Sequence, residues 1–422
     1  MSERADPSSE GALPESPGDD PPLARSGASE QRARYRAVLR SPGVGWLLAT
    51  SLVARLPVAM VSLAIILRVA HASGSYARAG SVTAAYVIGT GLIGPLLGRL
   101  ADRVGRRPVL LVAATVNTSG LVAMALIPVR QLGLLLAVAA ITGGSVPPVA
   151  PAVRSLWRTL VPADIQASLY AVDATLQEVT FMVGPTLVAL IASFASASAA
   201  LVTCGAVGLF GTVAVACHPA TAHQRRNRSR APARTPIGSS AMVTLVLITL
   251  MFLAAIVIVE ISVVAFAGRH HAANQAGLLL AVWSGGSMAG GLLFGARTAN
   301  GGARVLGRLM LVGAGGFLLL AAAPGVGVLY GLMFVAGTAI APGFSCIYGI
   351  VGAVSPATSS IESFSWVASG IQVGAAIGAA VGGFLVQLVG PRLAFVCAGG
   401  CGLATAILAM WRTRHLTAAE GR

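Results

Sequence analysis

An all-α membrane protein of twelve transmembrane helices, built as two pseudo-symmetric six-helix bundles, is the fold class this sequence predicts. Composition is the first reason. Of 422 residues, 55% are hydrophobic and 10% charged, with a mean hydropathy of +0.80, whereas a soluble domain carries about 25% charged residues. The second reason is length: apolar runs recur along the chain and many reach the roughly 20 residues that cross a bilayer. The third is a glycine and proline pattern that the second half of the chain repeats.

Taken in order, residues 1–40 are rich in Pro, Ser, Gly and acids and carry no apolar stripe, as expected of a disordered cytoplasmic N-terminal tail. No apolar stretch follows a short basic start, so the tail does not read as a signal peptide. Arg32, Arg34, Arg36 and Arg40 then precede the first span. Spans are expected over roughly 43–70, 77–99, 108–129, 132–155, 165–192, 197–217, 241–267, 272–296, 304–323, 325–351, 360–389 and 392–412. Even-numbered loops carry Arg103, Arg106 and Arg107, then Arg154 and Arg158, then five arginines between 225 and 234, then Arg304 and Arg308. Odd-numbered loops carry few. Positive charge favours the cytoplasmic side, so both termini are expected inside a plasma-membrane protein. The division is then a first bundle over 41–217, a basic cytoplasmic linker over 218–240, a second bundle over 241–413 and a cytoplasmic tail over 414–422.

The repeat supports that division. A shift of 197 residues lays Gly89, Gly94, Gly98 and Gly105 on Gly286, Gly291, Gly295 and Gly302. Further on the shift is 194, and Gly143, Pro148 and Gly184 meet Gly337, Pro342 and Gly378. Each pair alone is weak in so glycine-rich a chain; their order along consecutive spans is the argument.

Composition also excludes chemistries. All basic residues are arginines, so there is no lysine for a P-loop or a Schiff base. The net charge of +15 sits mostly beside spans, which fits a lipid bilayer and not nucleic acid. Five cysteines match no zinc or disulfide spacing. No triad or metal cluster is visible, and neither cofactor nor enzyme activity is expected.

The segment Gly98-Arg99-Leu100-Ala101-Asp102-Arg103-Val104-Gly105-Arg106-Arg107 joins the second and third spans. One carboxylate, four arginines and two glycines are out of place there unless they work there. These ten positions resemble the G-x-L-x-D-R-x-G-R-R signature of the major facilitator superfamily. The resemblance implies a transporter working by alternating access, as a monomer, on a small-molecule substrate. It also implies a latch, in which Gly98, Asp102, Arg103, Gly105, Arg106 and Arg107 contact the start of the eleventh span, near Ser355-Pro356-Ala357 and Glu362. The second copy has Ala299 in place of Asp102, so the latch is expected on one side only.

Acids inside spans are costly and usually face a cavity or a partner. Asp173, Glu178 and Glu260 are such acids, and Glu178 is the expected carrier of a coupling proton. Asp173 and Glu178 are about 140° apart on one helix and should not share a face. Arg55, deep in the first span beside Pro57, is expected to be a counter-charge to an acid or an anchor for an anionic group. Arg154 and Arg158 are placed at the cytoplasmic end of the fourth span, leaving it without a mid-helix arginine. Gly184-Pro185 partly resembles the glycine-proline signature of the antiporter branch, with Thr180 where its first glycine belongs. Pro148 and Pro342, and the stripe Gly370, Gly374, Gly378 and Gly382, are expected to serve helix packing and gating.

The reading that results is proton-coupled efflux of a small amphipathic compound such as a drug, antibiotic or secondary metabolite. An uptake carrier for a small metabolite is the alternative within the class. A non-transporting receptor or scaffold is the alternative outside it.

Overall fold

The computed structural model describes residues 34–222, 236–297 and 302–412; the linker arginines 225–234 and Ala299 lie outside them. Among the described residues, twelve helical stretches are long and apolar enough to cross a membrane. The first three spans are α1 (Val44–Ser73), α2 (Tyr76–Val104) and α3 (Arg106–Leu126). The fourth is split into α4 (Leu132–Gly144) and α5 (Val149–Leu160), and the fifth and sixth are α6 (Ala163–Phe194) and α7 (Ala197–Cys217). The second half begins with α8 (Ser240–Arg269), α9 (Ala276–Arg297) and α10 (Ala303–Leu320). Its tenth span is split into α11 (Val326–Gly337) and α12 (Ile340–Val354), followed by α13 (Ser360–Leu388) and α14 (Pro391–Trp411).

Both split spans have a local cause. Pro147 and Pro148 follow Gly143-Gly144, and two prolines in a row remove the donors a continuous helix needs. In the tenth span the helix stops at Gly337 and restarts at Ile340, with Pro342 in the first turn of α12, where a missing N–H costs little. Gly105 makes the turn between α2 and α3 with φ +119°, a conformation side chains rarely adopt.

Within each half the helices meet through small residues. A Cβ on Gly184 would come 2.8 Å from that of Ala59, so α6, which runs unbroken through Pro185, lies tight on α1 at this point. The glycine stripe of α13 faces α8: side chains at Gly374 and Gly378 would run into the Leu250 and Ala254 carbonyls. Both helices belong to the second half. The stripe packs tightly against a helix of its own bundle. Its regular spacing on one helix face was legible; its partner was not.

Candidate functional site

The two halves meet at the end where α2 passes into α3 and α13 begins. Asp102 accepts hydrogen bonds from the backbone N–H groups of Ile361, at 3.2 Å, and Glu362, at 2.8 Å. These are first-turn donors of α13, a helix whose own Ser359 makes no capping bond. An acid from one half thus caps a helix of the other, where its charge also meets the positive helix end. Arg99 pairs with Glu362 at 3.2 Å, and Arg106 stands within electrostatic reach of Asp102. Arg103 and Arg107 point to the exterior.

Beyond this clamp the closure is symmetric. Gly98 leaves room for Ser365 and Gly94 for Ser369, whose hydroxyl donates to the Gly91 carbonyl at 2.7 Å. In the other copy Gly295 leaves room for Ala171 and Gly291 for Thr175, the positions related by the repeat. Ser168 donates to the Gly295 carbonyl, and Tyr35, ahead of α1, donates to that of Leu292. Burial pushes the Tyr35 phenol up to about 12, so it remains a neutral donor at ordinary pH. Arg158 at the end of α5 donates to the carbonyl of Gly352, its own repeat partner.

Deeper in the first half lies a buried ion cluster. Asp173 of α6 takes Arg55 of α1 on one oxygen at 2.8 Å and Arg154 of α5 on the other at 2.6 Å. Arg154 also donates to Gln177 at 2.7 Å, and Tyr348 of α12 donates to the same amide oxygen at 3.2 Å. The Arg154 guanidinium carbon lies over the Tyr348 ring, 3.6 Å from its centre. Asp173 is 0%, Arg154 2% and Arg55 6% exposed. Arg154 is thus no end-of-helix anchor. The break at Pro147–Pro148 makes α5 a short half-helix that is buried all round from Pro151 to Trp157, Arg154 included.

Glu178 points elsewhere, as its angle from Asp173 requires. It lies within electrostatic range of the Ser287 side chain of α9 and of Glu260 on α8. Two carboxylates from opposite halves are therefore neighbours, and neither has an ion pair among the described residues.

A cavity of about 150 Å³ lies beside the ion cluster. Its lining includes Arg55, Arg154 and Gln177, the break from Val146 to Pro151, and Ser365, Ser369 and Gln372 of α13. Pro148 caps α5 at its edge, while Pro342 is buried in α12.

Sequence reasoning singled out Arg55, Asp173, Asp102 and Glu362, and the structure brings them together in two pairs of contacts. It missed Arg154, Gln177, Tyr348 and Ser287. For Tyr348 a signal existed, since it is the repeat partner of Arg154.

No curated protein sequence matches this one. Among solved structures, a bacterial homologue of the iron transporter ferroportin in an outward-facing state is similar at a TM-score of 0.68, with 15% identity over 90% of this chain and 99% of that one. The outward conformation of FucP, the fucose:proton symporter of E. coli, reaches 0.67 with 16% identity over 88% and 99%. The human organic anion transporter MFSD10 (TETRAN) reaches 0.61 with 17% identity over 92% and 100%. At these identities the likeness is one of fold. The family model of the Major Facilitator Superfamily matches residues 47–271 and again 245–421. With both halves matched, and with the halves related position by position, this chain belongs to the Major Facilitator Superfamily of membrane transporters and is not an enzyme.

Proposed function

We propose that the protein is a secondary transporter that exports a small amphipathic compound across the plasma membrane in exchange for protons. The observation that carries this reading is the symmetric closure of the two halves at one end, beside a charged cavity at mid-depth. That arrangement suits two bundles rocking about a central site. The loop arginines argue that the closed end is cytoplasmic, so the state described is the outward-facing one, with both termini inside.

Glu178 is the proposed proton carrier. Asp173 is occupied by two guanidiniums, whereas Glu178 has a hydroxyl and a second carboxylate as neighbours and bridges the two halves. A proton there changes the charge at a contact that must break when the halves rock. In proteoliposomes, Glu178→Gln should retain substrate counterflow and lose transport driven by an imposed pH gradient. Gradient-driven transport that survives in Glu178→Gln and fails in Asp173→Asn would move the proton to Asp173 and overturn the assignment.

Uptake is the second reading, favoured by the hydrogen-bonding groups Asn117, Gln177 and Gln372 in the cavity lining. Accumulation of labelled substrate inside cells, abolished by collapsing the proton gradient, would select uptake over export.

A further inference from the structure

We propose that the cavity binds its substrate through an anionic group, so that the transported compounds are amphipathic organic acids. The proposal rests on the transporter reading above and specifies its substrate class.

Charge comes first. The buried cluster holds two guanidiniums and one carboxylate, an excess of one positive charge among residues at most 6% exposed. Burying an uncompensated charge is costly, and a partner of opposite sign relieves the cost. Donors come second. Arg55 spends one nitrogen on Asp173, while its Nε and Nη2 have no hydrogen-bond partner. Across the cavity the Ser365 hydroxyl, 2% exposed, is also without a partner. Both side chains line the same space.

The third observation is the start of α5, which opens into that space. Val149 and Ala152 N–H groups turn back to the Pro147 and Pro148 carbonyls, but among the described residues none accepts from the Ala150 N–H. A half-helix start of this kind, with one free N–H group and the positive dipole end, favours an anion. The matching start in the second half is closed: there Ser287 accepts from the Ala341 N–H at 3.1 Å. Its counterpart Thr90 has its hydroxyl 3.0 Å from both the Tyr86 and Gly143 carbonyls, between which its one proton is shared, and Pro147 stands where Ala341 carried the donor. Guanidinium, hydroxyl and backbone N–H are all donors, and an oxyanion supplies what all of them lack. Arg55 belongs to one half and Ser365 to the other, so a carboxylate held by both would join the halves in the state described.

The test is binding by the purified full-length chain in detergent, without any gradient, using matched series of benzoate, indole-3-acetate and decanoate, their neutral amides and the corresponding amines. At least one carboxylate should bind tighter than its amide and amine by about tenfold or more, as loss of hydrogen bonds to a charged group predicts. Arg55→Gln should remove that preference. Ser365→Ala, which touches no ion pair and so spares folding, should weaken the carboxylate about threefold to tenfold and leave the amide unchanged. Amides or amines binding as well as every carboxylate would overturn the proposal, as would a carboxylate preference that persists in both variants. Counterflow of the same compounds separates the two readings. Binding with carboxylate preference but no flux would sink the transporter, and flux of amides alone would sink the anion site.

Discussion

The two halves share a fold and differ in what fills the same places. At the repeat positions of Arg55, Arg154 and Asp173, the second half carries Phe252, Tyr348 and Val367. There the rings of Phe252 and Phe344 lie 5.4 Å apart, and those of Phe344 and Tyr348 lie 5.9 Å apart. One half thus holds an ion cluster where the other holds an aromatic stack, and the two touch where Arg154 lies on Tyr348. The difference teaches that the duplicated scaffold supplies the hinge geometry twice and the chemistry once. The glycine contacts at the closing end are symmetric; the arginine–aspartate cluster, the open half-helix start and the clamping Asp102 belong to the first half.

The largest effect that would break this comparison is expected at Asp173. Asp173→Asn leaves two buried guanidiniums facing each other, and removing one partner of a buried ion pair costs about 3–5 kcal/mol. Tyr348→Phe, its counterpart on the aromatic side, loses one hydrogen bond, about 1 kcal/mol. Thermal unfolding in detergent compares the two variants directly. Equal losses would mean that the ion cluster is no more demanding than the stack.

A middle-sized effect is expected from Gly374→Ala. Its methyl would meet the Leu250 carbonyl on α8, and overpacking of this kind costs about 1–3 kcal/mol. Because both helices lie in one bundle, stability should fall while the ratio of cysteine labelling at the two mouths stays put. A shifted ratio would place the glycine stripe among the moving parts.

The smallest effect concerns the clamp. Asp102→Ala removes the cap from α13, worth about 0.5–2 kcal/mol. The closed end should then open more often, with cysteines placed behind the clamp labelled about twofold to thirtyfold faster. An unchanged labelling rate would show that the symmetric glycine contacts alone hold that end shut.

Much of this molecule was written in the order of its residues. Twelve spans were legible because a bilayer forces backbone groups to bond internally and demands long apolar runs. The repeat revealed two halves, and the hinge revealed itself because charges at a span boundary are conspicuous. Asp102 and Glu362 could therefore be paired in advance, although the contact from Asp102 runs to the backbone of α13 and the side chain of Glu362 goes to Arg99.

Only the tertiary structure decided which way each span turns. Leu, Val and Ala cover every face of these helices, so nothing in the pattern distinguishes the lipid side from the bundle side, and rotation is set by packing against neighbours. Arg154 and Asp173 lie on different helices, and whether they meet depends on the rotation of both and on the break at Pro147–Pro148. The same holds for the stripe of α13, whose glycines identify a close contact but not the helix that makes it. Burial then selects among the possible rotations. A charge inside the membrane is tolerated only where another charge or a cavity receives it, and that condition is met by the fold as a whole.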